Sequence, residues 1–192
     1  DRAPLMLVTA GRNTSLGTAR SSTAVSARTV MVRVVLPSSA ISPNPSPGPR
    51  VASRIVLASE LPENCNLRST ARDPPVLIAT PRGKEDRFAG WAADGAEVLP
   101  CDSIRDLLLE LGHRRCTNVL VEGGAGVLGS FLDARAIDEF HVYVAPKIIG
   151  SDTAVSPVGG EGSAMIANAI RLANFSFTPS GDDVYLHGYA TP

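Results

Sequence analysis

One short stretch of this chain has the residue types and spacing to hold a phosphorylated ligand. Gly123-Gly124-Ala125-Gly126-Val127-Leu128-Gly129 follows the apolar run at 119–121 and opens a helical pattern, and its last six residues read G-x-G-x-x-G. Glycine permits a sharp turn with positive φ and lets a ligand come close to the backbone. The first turn of the helix that follows presents unpaired N–H groups and the positive end of its dipole. Such a turn suits a pyrophosphate, although a tight turn with close packing uses the same glycines and the pattern alone does not separate the two. Glu122 stands just before the glycines, at the C-terminal end of the strand, where α/β sheets bind their ligands. A carboxylate there either faces a ligand or interacts with the helix dipole.

The elements that must position this turn can be read on both sides of it. Residues 117–150 read as strand, glycine turn, short helix and a second strand at 140–144, a β-α-β unit that predicts neighbouring parallel strands with a right-handed crossover. Short apolar strands are expected at 55–58, 76–79 and 96–99, with a helix at 85–93 whose Phe88 and Trp91 read as a packing pair. A stronger helix carries Ile104, Leu107, Leu108 and Leu111 on one stripe, with Asp102 or Ser103 as N-cap and Gly112 as its stop. After the central unit come a glycine-rich loop at 158–162 and a helical stretch around 165–170. Two strands, 173–178 and 184–189, then form a hairpin, so the sheet ends antiparallel.

The 192 residues, 44% of them hydrophobic, suffice for one substantial core, and a net charge of −1 offers no electrostatic basis for binding nucleic acid or an anionic membrane. No apolar run approaches the ~18 residues of a membrane span. Cys65, Cys101 and Cys116 are widely spaced and odd in number, as in a protein with reduced thiols, and form neither a disulfide frame nor a zinc motif. His113, His141 and His187 are equally scattered; each reads as a solvated or hydrogen-bonded structural group, and no metal is expected. Residues 1–50 differ from the rest. From Arg2 to Arg50 there is no Asp, Glu or Lys, while Arg, Ser and Pro abound, ending in Ser42-Pro43-Asn44-Pro45-Ser46-Pro47-Gly48-Pro49. A strand at 30–36 is the one regular element this segment offers. Its composition fits a transit peptide, a disordered linker or an out-of-frame translation, so it is expected to be poorly ordered and open to proteolysis at 38–50, with the folded domain at 51–192.

Val121-Glu122-Gly123-Gly124-Ala125-Gly126, Ile137-Asp138-Glu139 and Ala145-Pro146-Lys147-Ile148-Ile149-Gly150 resemble, in order and spacing, the signature of the reductase domain of bifunctional riboflavin-biosynthesis deaminase/reductases. The loop at 158–162 and Gly181-Asp182-Asp183-Val184 are similar to that domain's closing segment, so the resemblance runs from about residue 51 to 189. It implies a dihydrofolate-reductase-like α/β fold: a mixed sheet, mostly parallel with a C-terminal antiparallel hairpin, and helices on both faces. NADPH would lie across the C-terminal edge of the sheet. The implied reaction is reduction of 5-amino-6-(5-phosphoribosylamino)uracil to its ribitylamino counterpart, with hydride from the cofactor and no protein group assigned as catalytic.

The same resemblance implies that Gly123, Gly124, Ala125, Gly126, Val127, Leu128, Gly129 and Ser130 hold the pyrophosphate, largely through main-chain donors, while Glu122 faces the substrate. Ser59 would touch the cofactor or serve only as a strand-end serine, and for the 2′-phosphate the sequence offers Thr80 and Arg82, which otherwise form a solvated turn. A phosphorylated pyrimidine is the implied partner, a homodimer the implied assembly and the cytoplasm the implied location. Two departures stand out. Ala58-Ser59 replaces the family's Asp-Ser, and residues 1–50 match neither the family's first strand and helix nor its deaminase half. A truncated, non-catalytic nucleotide-binding domain, or another NADPH reductase of the same fold, is the alternative. An ordinary Rossmann dehydrogenase fits less well, because the next strand ends in Ala145-Pro146-Lys147 without a ribose-binding acid.

Overall fold

Runs of aliphatic and β-branched residues too short to make helices build one sheet in the computed structural model, which describes residues 5–10, 29–35, 54–148 and 156–191. Its strands are β1 (Leu5–Ala10), β2 (Thr29–Val35), β3 (Arg54–Leu57), β4 (Val76–Thr80), β5 (Glu97–Pro100), β6 (Asn118–Glu122), β7 (Glu139–Val144), β8 (Leu172–Ser180) and β9 (Asp183–Ala190), in the order β5-β4-β3-β1-β6-β2-β7-β9-β8. The half from β5 to β6 is parallel, and from β6 outward each neighbour is antiparallel. The C-terminal ends of β3, β4, β5 and β6 therefore share one edge.

The helices are α1 (Asn66–Ser69), α2 (Ala89–Ala93), α3 (Ile104–His113) and α4 (Ala125–Asp133), with a 3-10 turn at Glu85–Phe88 leading into α2. They lie on both faces, as expected. Strand β4 is buried at all five residues because its side chains feed both cores. Leu77 and Ala79 join Leu107 and Leu111 of α3 and Leu128 and Phe131 of α4, while Val76 and Ile78 meet Phe88 and Trp91 on the opposite face. Right-handed crossovers produce this division, since connections that step toward β5 put their helices on one face and those that step back put theirs on the other.

Several expectations shift in detail. Strands β6 and β7 run in the same direction but are not neighbours, because β2 lies between them and is antiparallel to both. Ser103 is the N-cap of α3, its Oγ accepting from the Asp106 N–H at 3.0 Å. Gly112 does not stop that helix; it is buried in the last turn, and Arg115 at φ 63° takes the left-handed position beyond it. The hairpin is tighter than expected, with Gly181 at φ 62° and Asp182 forming its turn.

The segment 1–50 departs most from expectation where it is described. Strand β1 pairs with β3 and β6, and β2 with β6 and β7, so two of the inner strands come from it. Its Arg-, Ser- and Pro-rich composition describes the intervening residues, whereas Leu5–Ala10 and Thr29–Val35 are themselves apolar enough to complete neighbouring ladders. The stretch at 38–50, expected to be open to proteolysis, lies outside the described residues.

The two-sided core yields a ranking of side chains. Phe131, fully buried between α4 and the sheet, should lose about 3–5 kcal/mol of stability on truncation to Ala, against about 1 kcal/mol for Ser103→Ala at the α3 cap. Urea unfolding of the two variants tests this order, and an equal or reversed loss would mean that α4 does not pack as described.

Candidate functional site

The six-residue glycine pattern divides into three structural tasks. Gly124, with φ −67° and ψ 157°, is the N-cap of α4, and its carbonyl accepts from Val127 N–H at 3.0 Å and Leu128 N–H at 3.4 Å. No side chain caps this helix, so the first-turn N–H groups of Ala125 and Gly126 have no intrahelical acceptor. Gly126 is exposed, and a Cβ added there would meet nothing within 4 Å. Ser130, one turn on, is also exposed and returns its hydroxyl to the Gly126 carbonyl at 3.0 Å. Gly129 faces elsewhere: a Cβ there would fall 2.3 Å from the Gly159 carbonyl carbon. Contrary to expectation, none of Gly123, Gly124, Gly126 or Gly129 has a positive φ; they serve by lacking a Cβ.

The loop at 158–162 lies along the Ala125-Gly129-Asp133 stripe of α4. Gly159 N–H donates to the Ala125 carbonyl at 2.8 Å, and the Asp133 carboxylate accepts from the N–H groups of Glu161 and Gly162 at 2.9 and 3.3 Å. Val127, Leu128 and Phe131 point into the core. Thus one stripe anchors the helix, a second holds the loop, and the stripe of Gly126 and Ser130 stays open. Val127 and Leu128 can offer a ligand only main-chain atoms.

The other expected residues line the same edge of the sheet. Glu122 ends β6, half-buried, and Gly123 beside it is exposed. Ser59 lies exposed just beyond the end of β3. Thr80 closes β4 fully buried, and its Oγ1 has no hydrogen-bond partner. Leaving a buried hydroxyl unsatisfied costs about 1–3 kcal/mol, so a polar ligand atom admitted at this strand end would be stabilised there. Arg82 is paired with Asp102, Nε to Oδ2 at 3.0 Å, and its own N–H donates to Asp102 Oδ1 at 2.9 Å. Both side chains are more than half exposed, and such a pair is worth only about 0–1 kcal/mol, so a phosphate could draw Arg82 away. Cys101 is no ready nucleophile, since burial, followed by the charges of Asp106 and Asp102, raises its thiol pKa.

These features fit an anionic dinucleotide such as NADPH: bare first-turn donors at Ala125 and Gly126, open space at Gly126 and an orphaned hydroxyl at Thr80. The sheet also gathers a group that the sequence left apart. His141 stands directly opposite His187, and Glu139 is in contact with both. The signal was present as an alternation, Glu139-x-His141-x-Tyr143 against Tyr185-x-His187-x-Tyr189, which places all six side chains on one face once the strands pair.

Comparison with known proteins gives this architecture relatives. The model of the family described as RibD C-terminal domain matches residues 6–186, reaching back into the segment left unmatched by the sequence motifs. Riboflavin biosynthesis protein RibD of Actinobacillus pleuropneumoniae is 32% identical over 148 residues, 73% of this chain and 39% of that protein. The 2,5-diamino-6-ribosylamino-4(3H)-pyrimidinone 5′-phosphate reductase of Aquifex aeolicus is 32% identical over 118 residues, 59% of this chain and 53% of the relative. The chain thus spans between about two fifths and about half the length of these two curated relatives. Among solved structures, RibD of Acinetobacter baumannii superposes with a TM-score of 0.60 at 24% identity, covering 73% of this chain and 38% of that one, and so shares the fold.

The last two glycines of the pattern, Gly126 and Gly129, should respond differently to one methyl group. Gly129→Ala forces the loop at 159–160 off α4, so amide exchange at Gly159 and Glu161 should accelerate and the melting temperature should fall. Gly126→Ala has room and should leave both unchanged or slightly improved. Equal behaviour of the two variants would show that the loop does not rest on Gly129.

Proposed function

This chain belongs to the RibD C-terminal domain family, and from that premise we propose that it reduces the phosphoribosylaminopyrimidine of riboflavin biosynthesis, 5-amino-6-(5-phosphoribosylamino)uracil, with NADPH. The observation that carries this is Glu122 at the end of β6, two residues before the Gly124 N-cap of a helix whose first donors have no side-chain cap. The Aquifex aeolicus relative, named as a reductase of a closely similar pyrimidine phosphate, supports the substrate class.

The main chain at Gly124, Ala125 and Gly126 would hold the pyrophosphate, with the exposed Ser130 hydroxyl beside it. Thr80 and Arg82 would meet the adenosine side, Arg82 exchanging Asp102 for the 2′-phosphate, and the exposed Ser59 would add a contact. When bound, NADPH supplies the hydride that reduces C1 of the opened ribose. Glu122, half-buried and fixed by the sheet, would accept hydrogen bonds from the pyrimidine's amino group or the sugar's hydroxyls and so orient C1. A homodimer belongs to the same proposal, supported by β8, whose outer edge pairs with no other described strand and whose Phe175 and Phe177 are exposed. The three free cysteines support a reducing compartment such as the cytoplasm. No described helix is long and apolar enough to cross a membrane. A second outcome, nucleotide binding without turnover, is favoured by Ala58 standing in place of the family's Asp.

Two variants separate these outcomes. Gly126→Val fills the open space at the turn, so NADPH affinity measured by calorimetry should weaken at least tenfold, about 1.4 kcal/mol, with the fold retained. Glu122→Gln keeps the shape and removes the charge; substrate-dependent NADPH oxidation should drop sharply while cofactor affinity changes little. A plain dipole contact at Glu122 would instead cost about 0.3–1 kcal/mol of stability with no selective effect on turnover. Cofactor binding in the parent protein without any substrate-dependent oxidation would leave nucleotide binding alone as its activity.

A further inference from the structure

We propose that Glu139, His141 and His187 form a binding site for one divalent first-row transition ion of the zinc, cobalt and nickel kind. The three ligand atoms already lie within 4.8 Å of one another. Glu139 Oε1 is hydrogen-bonded to His187 Nε2 and stands 3.7 Å from His141 Nε2, so one carboxylate oxygen is the point on which both imidazoles converge. In a tetrahedral site with metal–ligand bonds of ~2.0–2.1 Å, neighbouring ligand atoms are roughly 3.3 Å apart, so small side-chain rotations bring all three to the same ion.

The backbone fixes this arrangement. His141 and His187 are direct partners across the β7–β9 ladder, and Glu139 is two residues before His141 on the same face. Phe140 and Val142 on the other face of β7 pack against the core that holds α3 and α4, which prevents the strand from rotating its ligand side away. The outer partner is present as well. Tyr185 Oη lies 2.6 Å from His141 Nδ1, and as acceptor of the Nδ1–H it leaves the Nε2 lone pair directed at Glu139.

The ligand set selects the ion. Two imidazoles and a carboxylate suit zinc and its neighbours and disfavour calcium and magnesium, which prefer oxygen throughout. Glu139 is nearly fully buried and both histidines are about one-fifth exposed, so the carboxylate lies deep and the open coordination positions face the entry side. Glu139 and His141 also make further contacts that an ion must displace. Three protein ligands, one of them already engaged, therefore point to affinity in the micromolar range, about −8 kcal/mol, weaker than a closed four-ligand site. The cluster is separate from the glycine turn. Glu122 shares a cross-strand row with His141, but Met31 of β2 stands between them, which puts the two backbones roughly 10 Å apart. The site does not depend on the reductase proposal.

The full chain, stripped with chelator, is titrated with zinc and with cobalt. Expected are one equivalent bound with micromolar affinity, a raised melting temperature, and visible cobalt d–d bands without the near-ultraviolet band of a thiolate ligand. His187→Ala and His141→Gln should each weaken binding at least tenfold, while His113→Ala, at an exposed histidine on α3, should leave it unchanged. Glu139→Gln removes a buried carboxylate; if it fails to fold, the two histidine variants decide. No saturable binding below about 100 μM would overturn the site, as would equal affinity in His187→Ala or a cobalt spectrum carrying a thiolate band.

Discussion

The contact on which most of this molecule's geometry depends is between two stretches of backbone. Gly129 in the middle of α4 meets Gly159 and Gly160 with no room for a Cβ, and Gly159 closes the contact by donating to the Ala125 carbonyl. That hydrogen bond falls in the first turn of α4, so the loop holds the helix at the end where its free donors emerge. Asp133 repeats the link at the far end through Glu161 and Gly162. Against this, the core holds Val127, Leu128 and Phe131 from below. The helix is pinned on two sides, and its third stripe, carrying Gly126, stays exposed with open space around it. Donors fixed in this way need little reorganisation when an anion arrives, which is where a helix N-terminus gains over mobile side chains.

A second constraint acts across the sheet. The parallel half brings the ends of β3, β4 and β6 to one edge, so residues at 59, 80 and 122, far apart in sequence, share a rim. The antiparallel half does the reverse. Its residues come together by lateral register, and it is the direct opposition of His141 and His187, with Glu139 beside them, that concentrates polar groups on a sheet face. A buried carboxylate is tolerable only with hydrogen-bond donors or positive charge around it. Glu139 has the His187 imidazole and, further off, that of His141, which makes the cluster a coherent unit whether or not an ion joins it.

What the sequence disclosed follows from the range of the forces involved. Helix α3 was legible because its stripe of Ile104, Leu107, Leu108 and Leu111 and its Ser103 cap are local. Strands β3, β4, β6 and β7 were legible as short apolar runs between turns, and Gly181-Asp182 with its flanks announced the hairpin. Sheet order was not legible. Nothing local says that β2 comes between β6 and β7, because that placement is decided by which ladder remains open once other strands have paired. Strand β2 was legible as the apolar run at 30–36, whereas β1 was obscured by composition averaged over fifty residues, although a strand needs only five or six. The glycine pattern, in turn, misjudged the backbone. It suggested left-handed backbone, whereas the structure uses glycine for proximity, to a loop at Gly129 and to open space at Gly126.

The polar groups along the rim differ in how firmly they are held, and that difference bears on how a ligand would be received. Arg82 and Asp102 form an exposed pair of small net worth, readily exchanged for another anion. Thr80 lies at the opposite extreme, with an unsatisfied hydroxyl closed off from solvent at a position where most proteins would supply a partner. Between them runs the turn Pro81-Arg82-Gly83, in which Gly83 at φ 79° has open space around it. Arg82 and Thr80 are only two residues apart, so a single bound anion would exchange the weak surface pair and could satisfy the buried hydroxyl together. The first would cost about 0–1 kcal/mol and the second would recover about 1–3 kcal/mol, so at this corner of the rim the balance would favour a ligand.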